Sequence, residues 1–291
     1  MLIGGVITAL VTPFKYGGVD DAAVARLIET QLAAGVGALV IGSQAAGEGA
    51  TLSADEALSL ARLCVEVAGS SAAVIVDASS NATAAAIARA RQAEAAGAAC
   101  LLVSAPWYNR PSQEGLTRHF RAVAAATGLP IIVGNDASRS RADIGRDALA
   151  EIAASGNVIG LIEASPDVSR LSAARRVCPA HFRILAANDL TGLGALAHGA
   201  HGLVSVTANV LPEAMCAFHA AWAANDVPQA RCIDDALRDL HYALHADPLP
   251  ATVKALLAHR NICGAEVRLP ITTVDETVID AALAALTSAA V

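Results

Sequence analysis

Short apolar runs alternate with longer, alanine-rich stretches over the first three quarters of the chain. The runs are almost continuously apolar, which is typical of strands buried on both faces of a parallel sheet. The two patterns repeat about every 25 to 30 residues, as successive βα units do. The candidate strands are Gly5–Leu10, Ala38–Ile41, Ala73–Val76, Cys100–Val103, Ile131–Val133, Val158–Ile162, Ile184–Ala186 and Gly202–Val206.

The alanine-rich stretches have helical spacing and predict one helix after each strand. Ser53 and Glu56 predict a capping box, in which a hydroxyl and a carboxylate satisfy free amides at a helix start. Eight such units predict an α/β fold, a closed (β/α)8 TIM barrel rather than an open sheet. No G-x-G-x-x-G follows the first strand, which disfavours a dinucleotide-binding sheet. The predicted helices are 20–34, 53–67, 83–96, 113–127, 146–154, 168–177, 189–197 and 211–223.

The last part of the chain predicts helices without intervening strands, near 227–245, 252–260 and 274–289. We therefore predict two parts, a barrel over residues 1–225 and a C-terminal helical region over 226–291. The second part is expected to pack on the barrel rather than to form an independent domain. Extra layers of this kind often serve self-association.

Composition narrows the class of protein. Hydrophobic residues make up 55% of the 291 residues and charged residues 16%. This composition provides enough apolar residues for a large core and is not that of a disordered chain. The apolar runs end well before membrane-spanning length, and the N-terminus has no basic leader, so we expect a soluble, cytoplasmic protein. The net charge of -7 disfavours nucleic acids and anionic membranes as partners.

Cysteine and histidine patterns give no strong metal signal. Six cysteines lie far apart without a C-x-x-C motif, and we interpret them as core thiols in preference to zinc ligands or disulfides. His241 and His245 are one helical turn apart, and His198 and His201 precede the last strand. We interpret both pairs as structural. We expect no metal and no cofactor.

In a barrel of this type the chemistry is carried by the loops that follow the strands. Two of these segments are distinctive, P-W-Y-N-R-P-S-Q-E-G from Pro106 and G-x-x-S-V-T-A-N from Gly202. The chain resembles the pyruvate-dependent aldolase superfamily that includes dihydrodipicolinate synthase and N-acetylneuraminate lyase. The resemblance extends from Gly4 to about Thr272 and favours the synthase branch. It implies a barrel with a C-terminal helical region, assembled as a homotetramer of two dimers.

The resemblance also implies an imine mechanism that this sequence lacks. Enzymes of the superfamily attack pyruvate with a lysine in a G-x-K-E motif on the sixth strand. Here that motif reads Gly160-Leu161-Ile162-Glu163, and isoleucine has no nitrogen with which to form an imine. The family's relay tyrosine corresponds to Gly134 and its paired threonines to Ala45 and Ala46. We therefore expect no catalytic residue of the usual kind, and a dry floor with extra volume above Gly134.

Only two lysines are present that might replace the missing amine, Lys15 and Lys254. We interpret each as a solvated loop or helix lysine. An effective amine nucleophile needs a desolvated pocket that lowers its pKa, so neither is expected to act as one.

Other residues are candidates for ligand binding. The resemblance assigns Tyr108 to the relay of a neighbouring subunit and Arg139 to the carboxylate of a substrate, which suits a guanidinium. Asp136 adds a carboxylate that we interpret as solvated or loop-capping rather than as a general base. Glu48, Asn135 and Glu163 also match family positions, and we favour structural support over ligand contact for all three. Val204, on the last strand, is a further candidate for ligand binding.

Three functional hypotheses follow. The favoured one is a pseudoenzyme that binds a small keto or carboxylic acid, or that regulates an active paralogue, and that forms a homo-oligomer. The alternative is an aldolase- or hydratase-type lyase acting on a keto acid without an imine, with Arg139 binding a carboxylate and Asp136 or Glu163 moving a proton. A third is residual lyase activity from positioning alone.

Overall fold

The apolar runs of the sequence form the strands of a closed barrel in the computed structural model. The structure describes residues 3–246 and 248–289. Eight parallel strands are ordered β1-β10-β9-β8-β7-β6-β5-β4 around the barrel. The predicted (β/α)8 barrel is confirmed. The barrel strands are β1 (Gly5–Ala9), β4 (Ala38–Ile41), β5 (Ala73–Asp77), β6 (Cys100–Ser104), β7 (Ile131–Asn135), β8 (Val158–Glu163), β9 (Arg183–Ala186) and β10 (Gly202–Ser205).

A short hairpin that the apolar pattern did not predict follows the first strand. It joins β2 (Phe14–Lys15) to β3 (Gly18–Val19). Tyr16 and Gly17 at its tip have φ values of 54° and 80°, and positive φ at both central residues suits a two-residue hairpin turn. Two-residue strands are too short for a periodic pattern to reveal.

Helices follow the strands close to the predicted bounds, and the capping box between Ser53 and Glu56 is formed. A short helix after β7 was not predicted. No helix among the described residues has both the length and the apolar character needed to cross a membrane. The helices are α1 (Asp21–Ala33), α2 (Ala54–Ala68), α3 (Thr83–Ala95), α4 (Gln113–Ala124), α5 (Ala137–Ser140), α6 (Arg146–Ala153), α7 (Ser169–Val177), α8 (Gly192–Ala197), α9 (Pro212–Ala223), α10 (Val227–Leu244), α11 (Ala251–His259) and α12 (Glu276–Ala289).

Two apolar layers stabilise the barrel. The larger one lies between the strands and the surrounding helices. The smaller one fills the interior and includes Ile7, Ile75, Cys100, Ile132 and Leu185. Burial raises the pKa of the Cys100 thiol to about 12, so this cysteine stays protonated and acts as a small apolar side chain.

The C-terminal helices cover one side of the barrel. Helix α10 packs against α9 and α12, and α11 packs against α12. The division of the chain into residues 1–225 and 226–291 stays a prediction.

Lys254 corrects an expectation, because it is not solvated. Its side chain is fully buried in α11 and forms an ion pair with Glu48, in the loop after β4. Its ammonium also donates to the Glu266 carbonyl oxygen at 2.9 Å and lies 4.1 Å from the centroid of the Phe14 ring. Burial lowers the pKa of Lys254, and the Glu48 carboxylate opposes that shift. This lysine therefore ties the C-terminal region to the barrel.

Candidate functional site

A cavity of about 580 Å³ opens at the end of the barrel where the strands finish. Function in this fold is located at that end. The floor is apolar and is made by inward-facing residues of five strands. These residues are Ala9, Val40, Leu102, Ile162 and Val204.

The four positions at which the sequence analysis expects a departure from imine chemistry come together in this cavity. Ala45, Ala46, Gly134 and Ile162 all line it. Gly134 on β7 pairs with Ile162 on β8, so these two lie in the same layer of the barrel. Ile162 is 6% exposed. None of the four side chains offers a nucleophile, an acid or a base to a molecule in the cavity.

Gly134 lines the cavity, but Ser104 and Leu102 restrict the space next to its Cα, and the expectation of extra volume there stays a prediction. Ser104 on β6 pairs with Gly134, and a methyl group added to Gly134 would lie 2.5 Å from the Ser104 hydroxyl oxygen. The same methyl group would lie 3.2 Å from the Leu102 side chain. The neighbouring strand therefore fills the volume that a larger residue would need.

The rim of the cavity carries the candidates Asp136 and Arg139. One Asp136 oxygen accepts hydrogen bonds from the Ser138 and Arg139 amides, at 3.1 and 3.2 Å, and caps α5. The other oxygen lies 3.6 Å from Nε of Arg139. The Arg139 side chain is 52% exposed. Its guanidinium makes no hydrogen bond within the described part of the chain, so it retains donors for a ligand.

Glu163 and Asn135 form a buried network below the rim. The amide nitrogen of Asn135 donates to Glu163 at 2.9 Å. Glu163 also accepts from Nε of Arg170 at 3.1 Å and from the Ser165 amide at 3.0 Å. Asn135 lines the cavity, whereas Glu163 does not. The carboxylate that ends β8 is therefore occupied in holding the following loop.

Two candidates lie away from the cavity. Glu48 is buried and pairs with Lys254, and it also accepts from the Arg268 amide at 3.0 Å. Tyr108 is 87% exposed and has a φ of 70°. Neither side chain lines the cavity of the single chain, whereas Arg139, Asn135, Asp136 and Val204 do.

Asp77 is a cavity residue that the sequence reasoning missed. It ends β5, one residue beyond the predicted strand, and it lines the cavity. Its two oxygens accept from the Gln44 amide at 3.2 Å and the Ser79 amide at 2.7 Å. Burial raises the pKa of Asp77 to about 6, against the opposing effect of these hydrogen bonds. An apolar strand ending in a carboxylate was the available signal, since Glu163 has the same pattern.

His241 and His245, the pair one helical turn apart, lie in two different environments. His241 is buried, its Nδ1 lies 2.7 Å from the Thr207 hydroxyl, and burial lowers its pKa. His245 is exposed and lines the cavity. Among residues 3–246 and 248–289 no group of three or more histidine, cysteine or acidic side chains is arranged to hold a metal ion.

Comparison with known families gives a match over nearly the full length. The model of the dihydrodipicolinate synthetase family matches residues 2–289. The 4-hydroxy-tetrahydrodipicolinate synthase of Hyphomonas neptunium (strain ATCC 15444) is 44% identical over 286 residues, which cover 96% of this chain and 97% of the relative. The synthase of Phenylobacterium zucineum (strain HLK1) is 43% identical over 286 residues and 98% of this chain, and 97% of its own length is matched.

Solved structures agree with this match. The 4-hydroxy-tetrahydrodipicolinate synthase of Methylacidiphilum fumariolicum SolV has a TM-score of 0.96 and 34% identity, over 99% of this chain and 96% of that chain. The chloride-inhibited dihydrodipicolinate synthase of Acinetobacter baumannii, complexed with pyruvate, has a TM-score of 0.95 and 32% identity. The match covers 99% of each chain in that pair.

Proposed function

We propose that this chain, which belongs to the dihydrodipicolinate synthetase family, is a pseudoenzyme that binds a small keto or carboxylic acid. In this proposal Ile162 stands where the family's imine-forming lysine belongs, and Gly134 stands where its relay tyrosine belongs. Binding without imine formation is then the function left to the cavity. No cofactor takes part.

One observation carries the proposal: Ile162, Gly134, Ala45 and Ala46 surround the same cavity. A single missing polar group is compatible with a neighbour that takes over its role. Four apolar positions around one cavity leave no unpaired polar group among themselves, and buried polar groups without partners are costly. The replacements therefore support a floor adapted to a different use.

The two lysines add support. Lys15 is exposed in the β2–β3 hairpin. Lys254 is buried against Glu48, and it does not line the cavity. An imine requires an amine that reaches the carbonyl carbon of the ligand. Neither lysine has that position in the fold.

Arg139 supports the choice of an acid as ligand. Its guanidinium lies at the rim above an apolar floor and has donors available for two carboxylate oxygens, a geometry that guanidinium groups favour. The relative from Acinetobacter baumannii was solved with pyruvate. We propose small keto acids and dicarboxylic acids as the first ligands to examine.

Isothermal titration calorimetry with pyruvate, 2-oxoglutarate and succinate tests the proposal. We expect reversible binding that Arg139→Ala weakens by about ten- to a hundredfold, since a hydrogen bond to a charged group contributes about 1.5 to 3 kcal/mol. Arg118→Ala is the matched control, because Arg118 lies on α4 in an exposed ion pair with Glu114. A turnover of any of these acids, or affinity that is unchanged in Arg139→Ala, would contradict it.

The alternative is a lyase that works without an imine, and one observation favours it. Asp77 is a cavity carboxylate whose pKa is raised to about 6 by burial, and carboxylates of this type serve as general acids and bases. Asp136 and Glu163 support it less well, because one caps α5 and the other is hydrogen-bonded to three groups. Release of a smaller acid or of water from a keto acid, lost in Asp77→Asn, would favour this alternative.

We also propose that the chain assembles as a homo-oligomer, a dimer or a tetramer, in the cytoplasm. Tyr108 supports assembly, because a large aromatic side chain that is 87% exposed is a common interface residue. Sedimentation equilibrium of native protein and Tyr108→Ala tests this. We expect weaker self-association in the variant, and a native protein that sediments as a monomer would refute the proposal.

A further inference from the structure

Asp77 has free acceptor capacity that faces the cavity. Each of its two oxygens accepts one backbone amide, from Gln44 and from Ser79. A carboxylate has about four acceptor positions, and the Ser79 side chain is a further partner of Asp77, so at least one position remains available. The residue lines the cavity at the end of β5.

No side chain in the described ranges neutralises this carboxylate. Arg89 on α3 is near enough to favour its ionised form, but Arg89 donates to the Ser79 carbonyl oxygen at 2.6 Å and makes no ion pair with Asp77. At the rim, the Asp136 carboxylate already faces Arg139. A charged group in a largely apolar cavity is stabilised when an opposite charge meets it.

The distance between the two ends of the cavity limits the shape of a ligand. Asp77 ends β5 and Arg139 follows β7, and β6 lies between these strands. Neighbouring strands are about 4.8 Å apart, so the two strand positions are about 10 Å apart. The space between them is floored by Leu102 on β6, whose apolar side chain suits methylene groups.

We propose that the cavity takes an ω-amino acid, with the ammonium group at Asp77, the carboxylate at Arg139 and the methylene chain on the apolar floor. This deepens and rests on the proposed acid-binding function. An α-amino acid carries its two charges on adjacent groups and does not span the two ends. A simple carboxylic acid leaves Asp77 without a partner.

A set of matched ligands on the native protein tests the inference. γ-Aminobutyrate, its isomer α-aminobutyrate and the deaminated acid butyrate are compared by calorimetry at neutral pH. We expect γ-aminobutyrate to bind about tenfold more tightly than either of the other two, which is about 1.4 kcal/mol. Asp77→Asn is expected to abolish this preference. Asp147→Asn, which removes an exposed carboxylate from the first turn of α6, is expected to preserve it.

The outcomes separate this inference from the proposal on which it rests. Equal affinity for γ-aminobutyrate and butyrate overturns the role of Asp77 and leaves acid binding in place. A preference that survives in folded Asp77→Asn also overturns it. A lack of binding by all small acids overturns both. The ligand comparison uses the native chain, so it decides the matter even where Asp77→Asn fails to fold.

Discussion

Removing the charge of Lys254 is expected to destabilise the fold strongly. In Lys254→Met an unbranched apolar side chain replaces the lysine, and both the Glu48 carboxylate and the Phe14 ring lose the cation beside them. The two side chains are 0% and 2% exposed in the native protein. Removing one partner of a buried ion pair costs about 3 to 5 kcal/mol, because the other charge is left uncompensated. The Arg268 amide, at 3.0 Å from Glu48, offsets part of this loss.

Thermal and urea unfolding measure this effect. At about 2 to 4 °C per kcal/mol for domains near this size, the melting temperature should fall by on the order of 10 °C. Lys15→Met is the matched control, since it removes an exposed lysine, and we expect it to change little. Adding Glu48→Gln to Lys254→Met should recover stability, because no buried charge is then unpaired. A Lys254→Met protein within about 1 kcal/mol of native would refute the buried ion pair.

Three further outcomes are expected. Gly134→Ala should lower the unfolding free energy by about 1 to 3 kcal/mol, measured by urea unfolding, because its methyl group meets the Ser104 hydroxyl at 2.5 Å; an unchanged midpoint would contradict this packing. Ile162→Lys should form a pyruvate adduct that borohydride traps, since an amine in an apolar site has a lowered pKa. If the folded variant forms no adduct, the position assigned to Ile162 is contradicted. Burial lowers the pKa of His119 from 6.5 to about 4. Between these two pH values the unfolded chain binds a proton at this histidine and the folded chain does not, so the free energy of unfolding should fall as the pH drops from 6.5 towards 4. His119→Gln should lose that part of the pH dependence, and an unchanged pH profile in urea unfolding would refute it.

The barrel was predictable from the sequence because its strands are buried on both faces. A strand such as Val158–Glu163 must then be a nearly continuous apolar run, and such runs are visible without knowledge of what they contact. The hairpin at Phe14 and the four-residue α5 escape this signal, because neither is long enough to show a period.

The site was only partly predictable, because its features depend on contacts between distant segments. Lys254 reads as an ordinary helix lysine until Glu48 is placed beside it from 206 residues away. The sequence does not show that Ser104 on the neighbouring strand lies close to Gly134 and would contact any side chain added there. Asp77 was passed over because the predicted strand ended at Val76. For Gly134 the missing information is the register between strands, and for Lys254 it is the packing of a remote helix, whereas for Asp77 the signal was present in the sequence.

Borohydride reduction in the presence of pyruvate, followed by intact-mass and peptide mass spectrometry, tests most directly whether the barrel lacks an imine-forming amine. The native protein is expected to keep its unmodified mass, with Lys15 and Lys254 both recovered free. A stoichiometric pyruvate adduct on either lysine would contradict the account.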